Sequence, residues 1–164
     1  MRIEWIFPST SQKFSNDVFL EREGRGRLTK NLPRFLPRIL IGIVLALNLE
    51  CASLFLFSPD RFVDGFEISG VGGQAAVQGM GLLFLMWNVA YIFACIHPVR
   101  YRICLLMAIL MQAIGLVGET WLLFSLPKGH NALYDTGVRF ILFDAPGLLL
   151  LCVAWMMTRV RPNL

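Results

Sequence analysis

Apolar residues concentrate in four long blocks separated by short polar connections. The blocks cover about residues 35–57, 74–96, 103–126 and 138–158. Each holds about 20 residues or slightly more, and a helix of that length crosses a bilayer core of about 30 Å. The blocks lack the period-2 alternation of strands in a membrane barrel. The pattern therefore predicts an all-α integral membrane protein with four transmembrane helices.

Composition supports the same fold class. Of the 164 residues, 56% are hydrophobic and 16% are charged, whereas a soluble domain is about 45–50% apolar and about 25% charged. The length suits one domain, which we place at residues 33–164, after a polar N-terminal arm at residues 1–32. The arm carries mixed charge and too little apolar surface to fold alone. The first apolar block is longer than the signal-peptide core of about 7–15 residues, so we expect no cleavage there.

Basic residues are distributed unevenly between the two predicted sides of the membrane. Lys and Arg favour the cytoplasmic side. All but three of the 15 basic residues lie in the arm or at the start of the first block, in the connection between the second and third blocks, or in the C-terminal tail, and the three are Arg61, Lys128 and Arg139. The asymmetry predicts that both termini are cytoplasmic, and the short connections predict an antiparallel bundle. It also accounts for the net charge of +4 without a nucleic-acid partner.

Seven polar residues within or near the apolar blocks are predicted to form one intramembrane network. They are Glu50, Gln78, Asn88, Gln112, Glu119, Arg139 and Asp144. A charged side chain at the bilayer centre costs at least about 2.5 kcal/mol, so the three acids should face one another rather than lipid. With a rise of about 1.5 Å per residue, all three lie about 10 Å inside the ends of their helices. Two of them are expected to share a proton, and Arg139 is expected to reach one of the acids.

Register in the second and third helices follows from their short connection. Residues whose numbers sum to about 200 should lie level, which pairs Asn88 with Gln112 and Gly81 with Glu119. Small residues on the same stripes should let the helices approach closely. Three interpretations of the polar layer stay open: it ties the bundle together, it forms a proton or ligand site open to the outside, or some of its acids are simply hydrated.

The remaining chemically capable residues indicate no catalytic or metal site. His97 and His130 lie at opposite ends of the bundle, so they cannot jointly bind a haem, and we expect each to be solvated or to cap a helix. Trp87 and Tyr91 are expected to be packing or interfacial aromatics. The four cysteines form no C-x-x-C pair and are expected to be free thiols. Nucleotide-binding and hydrolase motifs are absent, which argues against an enzyme.

Four stretches carry a resemblance to a known family. They are QGMGLLFLMWNVAY at 78–91, HPVRYR at 97–102, MQAIGLVGE at 111–119 and RFILFD at 139–144. Together they resemble the BphX-like bacterial membrane proteins, which are found beside aromatic-degradation genes, and more loosely the DoxX-like class of four-helix membrane proteins. The resemblance covers about residues 74–152. It implies a four-helix membrane fold in a bacterial inner membrane and brings no activity or catalytic residue with it.

Three functions are compatible with these features. The expectation we favour is a non-catalytic accessory subunit of a larger bacterial membrane complex, respiratory or photosynthetic, assembled with lipid and other membrane subunits. Its predicted partner or lipid contacts are Trp5, Phe7, Arg100 and Arg102. The alternative is a small proton- or cation-coupled transporter that uses the intramembrane carboxylates. The third is a redox subunit linked to quinone or lipid. No cofactor is predicted, although lipid, quinone or pigment is compatible with the bundle.

Overall fold

A computed structural model describes residues 35–159 of the chain, and four long helices account for most of them. They are α1 (Leu36–Phe57), α2 (Gly70–Ile96), α3 (Arg102–Ser125) and α4 (Asn131–Arg159). Each helix is long and apolar enough to cross a membrane. No strand occurs within 35–159. The prediction of an all-helical membrane protein with four candidate spans is confirmed for this range. The predicted arm at 1–32 lies outside it.

Two helices begin earlier than the apolar blocks indicate. α2 begins at Gly70 rather than near residue 74, and α4 begins at Asn131 rather than near residue 138. Hydropathy marks only the lipid-compatible part of a helix, whereas each added residue of a formed helix gains a backbone hydrogen bond. The extra turns of α4 also make a tertiary contact, because the Thr136 hydroxyl donates to the Gly65 carbonyl at 2.8 Å.

The connection between α1 and α2, residues 58–69, is called here the capping loop. It contains two short 3-10 turns, Pro59–Arg61 and Asp64–Phe66. Two of its phenylalanine rings lie against Phe55 of α1, with centroid distances of 4.6 Å for Phe62 and 5.9 Å for Phe66. The loop therefore covers one end of the bundle with aromatic side chains.

Each helix contacts two of the other three. α1 lies against α2 and α4, and α3 lies against the same two helices. The backbones of α1 and α2 approach closely at Gly81, where a Cβ would lie 2.9 Å from the Ala52 carbonyl oxygen. The prediction that Gly81 faces Glu119 of α3 is therefore wrong. Gly81 faces α1 instead, and its missing side chain lets α2 approach α1. Register between α2 and α3 does follow the expected rule, since the Tyr91 hydroxyl contacts the Ala108 carbonyl at 3.2 Å.

A dense apolar core occupies the end of the bundle remote from the capping loop. We call this end the closed half. Its buried residues are Ile41, Val44, Tyr91, Ala94, Leu105, Ala108, Leu151 and Ala154. The outward surface of the helices is also apolar, with Trp121 74% and Phe124 85% exposed. Such a surface suits contact with lipid tails.

Candidate functional site

A cavity of about 330 Å³ lies between the four helices, beneath the capping loop. We call the end of the bundle that contains this cavity the cavity half. Six of the seven residues predicted to form the polar network line the cavity: Glu50, Asn88, Gln112, Glu119, Arg139 and Asp144. Gln78 does not line it, because its side-chain amide donates to the Leu56 carbonyl at 3.2 Å. The predicted polar layer thus converges on one site, and only Gln78 turns toward α1.

A chain of hydrogen bonds crosses the cavity from α2 to α4. The Tyr91 hydroxyl donates to Gln112 Oε1 at 2.5 Å, and Gln112 Nε2 donates to Asp144 Oδ1 at 2.9 Å. The carboxyl groups of Asp144 and Glu119 both line this cavity, and we call the two residues the acid pair. Ionised carboxylates are acceptors only, so a hydrogen bond between the two would require a proton on one of them. The expectation that two acids share a proton stays a prediction.

Two glycines make room for this chain of bonds. A Cβ at Gly115 would lie 3.0 Å from Asp144 Oδ2, and a Cβ at Gly147 would lie 2.9 Å from Gln112 Nε2. A side chain at either position would push a polar group out of place. The small residues expected to bring helices together therefore also accommodate the polar side chains between them.

Asn88 presents an unpaired acceptor at the cavity wall. Its side chain is 1% exposed, and its Nδ2 donates to the Phe84 carbonyl at 2.7 Å. A carbonyl only accepts, so the amide orientation follows from that bond and leaves Oδ1 facing away from it. Asn88 Oδ1 has no hydrogen-bond partner among the described residues. The residue was predicted to face Gln112, and both line the cavity, but Asn88 is bonded to its own helix instead.

Arg139 and Glu50 occupy more exposed positions on the cavity wall. Both are exposed, and within residues 35–159 Arg139 forms no salt bridge with any carboxylate. The expected reach of Arg139 to an acid is therefore not realised. It precedes Asp144 by five residues on α4, a separation of about 7.5 Å along the axis. As a result, the acid pair has no cationic partner in the described part of the chain.

Aromatic side chains form most of the remaining cavity wall. They are Phe55, Phe62, Phe66, Phe84, Trp87, Tyr91, Phe140 and Phe143. We expected Trp87 and Tyr91 to be packing or interfacial aromatics, but Trp87 lines the cavity and Tyr91 belongs to its polar chain. The sequence does carry a signal for Tyr91: it follows Asn88 by three residues and so lies on the same helix face.

The capping loop is attached to the start of α4 through Glu67. The Glu67 carboxylate lies 2.5 Å from His130 Nδ1 and accepts from the Leu133 backbone N–H at 3.3 Å. The hydrogen bond from His130 is the main reason that the pKa of Glu67 is lowered. His130 is half-exposed, as expected for a solvated histidine, but its pairing with Glu67 was not predicted. His97 acts as a cap, since its Nδ1 accepts from the Arg100 backbone N–H at 3.1 Å.

The predicted partner or lipid contacts lie far from the cavity or outside the described residues. The Arg102 guanidinium lies over the Trp155 ring at 4.3 Å, and that of Arg100 lies over Tyr101 at 5.7 Å. These cation–π contacts give both arginines partners within the chain. Trp5 and Phe7 lie outside the described residues.

The part of the chain that the structure describes contains no disulfide and no cluster of metal ligands. All four cysteines are free, and Cys51 lines the cavity. Within residues 35–159, no three His, Cys, Asp or Glu side chains cluster closely enough to hold a metal ion.

Fold and site together define a class, a four-helix membrane protein with a carboxyl-containing cavity inside the bundle. Comparisons with protein-family models, curated proteins and solved structures found no match to this chain. The resemblance to BphX-like and DoxX-like proteins therefore stays a prediction.

Proposed function

We propose that this protein is a small proton- or cation-coupled transporter in which Glu119 and Asp144 hold the coupling ion. The observation that carries the proposal is the acid pair itself. Two carboxyl groups from neighbouring helices meet at a cavity and have no cationic partner in the described part of the chain. A doubly ionised pair is costly within a membrane, so a proton or another cation must neutralise at least one member.

The bonds around the acid pair support a coupling role. Gln112 joins Asp144 on α4 to Tyr91 on α2, so a change of charge at Asp144 alters contacts between three helices. Ionisable residues that face the interior of a membrane bundle commonly mark ion pathways. Ion exchange at the pair would then favour one helix arrangement over another, as differential binding requires.

The proposed membrane arrangement is an antiparallel bundle in a bacterial inner membrane with both termini cytoplasmic. The distribution of basic residues supports it, because Arg61, Lys128 and Arg139 alone fall on the opposite side. The cavity half then faces outward. A green fluorescent protein fused at the C-terminus should fluoresce, and an alkaline phosphatase fused there should be inactive. The reverse pattern would contradict the arrangement.

Proton flux in proteoliposomes tests the transport proposal. An internal pH dye should report acidification or alkalinisation when a cation gradient is imposed across wild-type vesicles. Glu119→Gln keeps the side-chain shape and removes the exchangeable proton, so the flux should be abolished. Asp135→Asn is the matched control, because Asp135 is exposed on α4 and does not line the cavity. Unchanged flux in Glu119→Gln would overturn the proposal.

An accessory subunit is the second candidate, and one observation favours it. A second cavity of about 510 Å³ is lined largely by apolar residues of α2, α3 and α4, including Leu83, Leu122 and Leu123. Leu83 and Leu122 are exposed, so the cavity is accessible from the side of the bundle. A lipid chain or the helix of a neighbouring subunit would fit such a groove.

Purification from the native membrane separates the two candidates. The tagged protein is extracted in mild detergent, and the mass and composition of the eluting particle are measured. Stoichiometric membrane subunits, or a co-eluting quinone or pigment, would favour the accessory or redox-linked role. A particle of one or two copies would favour the transporter.

A further inference from the structure

The cavity has room for more than an inorganic ion. Its volume of about 330 Å³ falls in the range of small-molecule sites, about 300–1,000 Å³. A bare divalent cation such as Ca²⁺ would use about six to eight oxygen ligands. This wall includes the carboxyl groups of the acid pair and eight aromatic rings. The cavity therefore has space for an organic body next to the acid pair.

We propose that the cavity binds an organic ammonium ion with at least one N–H and a compact apolar body. Its N–H groups would donate to Asn88 Oδ1 and to the acid pair, and its body would lie against Phe55, Phe84 and Phe140. This inference rests on the proposed function, since it names the class of substrate that the cation-coupled site takes.

The unpaired acceptor of Asn88 points to a ligand with a donor. Oδ1 belongs to a side chain that is 1% exposed, and no described residue donates to it. An unsatisfied buried acceptor is unfavourable, so a partner that supplies an N–H gains a bond that the protein already presents. The orientation is not arbitrary, because the bond from Nδ2 to the Phe84 carbonyl determines which end of the amide is free.

The charges and rings of the cavity favour a cation over a neutral or anionic ligand. Glu50, Glu119 and Asp144 all line it, and the described residues form no ion pair with them. Ammonium groups are also attracted to the faces of aromatic rings. Arg61 and Arg139 line the same cavity, but both are exposed, so solvent screens their charge more than that of the half-buried acid pair.

Calorimetry on the full chain in lipid nanodiscs tests this inference without measuring transport. Four probes share one aromatic body: 2-phenylethylammonium, its N-trimethyl analogue, 2-phenylethanol and phenylacetate. Wild-type protein should bind the primary ammonium at least tenfold more tightly than the alcohol and should not bind the carboxylate. The N-trimethyl analogue keeps the charge and lacks N–H donors, so its binding should be intermediate.

Three variants locate the contacts. Asp144→Asn should weaken binding of the primary ammonium at least tenfold, and Asp135→Asn should leave it unchanged. Asn88→Leu should weaken binding of the primary ammonium and leave binding of the N-trimethyl analogue unaffected. If Asn88→Leu does not fold, the difference in affinity between the two ammonium probes on wild-type protein tests the requirement for an N–H donor.

The outcomes separate this inference from the transport proposal. Absence of ammonium binding, or equal affinity for the ammonium and the alcohol, overturns the inference. If Glu119-dependent proton flux is present in that case, the transporter stands with an inorganic cation as its substrate. Ammonium binding without any flux instead overturns the transporter and leaves a cation-binding membrane protein.

Discussion

The two halves of the bundle are built from the same four helices but are filled differently. In the closed half, branched side chains such as Ile41, Val44 and Leu151 interlock with Ala94 and Ala108, and all are buried. In the cavity half, aromatic rings and carboxyl groups surround a space of about 330 Å³. Alanines let the helices pack closely in the closed half, whereas the rings and carboxyl groups of the cavity half leave a space between them. Stability is therefore expected to depend on the closed half and binding on the cavity half.

The largest effect is expected from removing volume in the closed half. Leu151→Ala deletes a fully buried side chain and should lower the free energy of unfolding by about 2–5 kcal/mol, because the tightly packed neighbours relax only partly. Leu149→Ala is the control on the same helix, since Leu149 is 67% exposed, and should change stability by less than about 0.5 kcal/mol. Denaturant unfolding in micelles measures both. Equal losses would contradict the assignment of stability to the closed half.

A slightly smaller effect is expected where α1 and α2 approach closely. Gly81→Ala places a Cβ against the backbone of Ala52, which cannot move without separating the helices, and should cost about 1–3 kcal/mol. The control is Gly79→Ala, because nothing lies within 4 Å of a Cβ at that position. Thermal unfolding followed by circular dichroism compares the two. If both variants unfold alike, Gly81 is not required for the close approach.

The polar chain of the cavity half should contribute less to stability than either packing contact. Gln112→Leu removes the bond to Asp144, but Tyr91 keeps the Ala108 carbonyl. Because Tyr91 retains a partner and Asp144 is only half-buried, the loss should be about 1 kcal/mol. Proton flux and ammonium binding should nevertheless fall, since Asp144 is no longer held in place. A variant with full flux would show that the bond is only structural.

The smallest effect concerns the attachment of the capping loop and depends on pH. The pKa of Glu67 is lowered in the folded protein from its ordinary value of 4.5, mainly by the hydrogen bond from His130. The attachment therefore stabilises the loop fully above pH 4.5 and is lost as the pH falls through the lowered pKa. The groups around Glu67 are His130 and the backbone N–H groups of Ala132 and Leu133.

Hydrogen exchange of residues 62–68 measures this attachment. At neutral pH, Glu67→Gln should exchange faster than wild type after correction for intrinsic rates, and the difference should vanish in acid. Asp64→Asn lies in the same loop and is the control. A difference between Glu67→Gln and wild type that persists in acid would show that the charge of Glu67 does not hold the loop.

Most polar residues of the cavity could be predicted from the sequence, because a charged side chain in a membrane is costly unless it faces the interior of the bundle. The cost of exposing Glu119 or Asp144 to lipid predicted that both face the bundle interior, and they do meet there. The direction of Gln78, Gly81 and Arg139 could not be obtained in this way. Each residue turns a helix by about 100°, so which neighbour a side chain meets depends on how the helices rotate against one another.

The sequence by itself determined the four helices and their capacity to cross a membrane. Both follow from local hydropathy over about 20 residues, which needs no knowledge of neighbouring helices. Only the tertiary structure decided that α1 and α2 approach closely at Gly81, that Tyr91 joins the polar chain, and that Asn88 keeps an unpaired acceptor. These contacts join residues far apart in the chain. They arise from how the helices pack, because side-chain volume and hydrogen-bond geometry act between helices rather than along one.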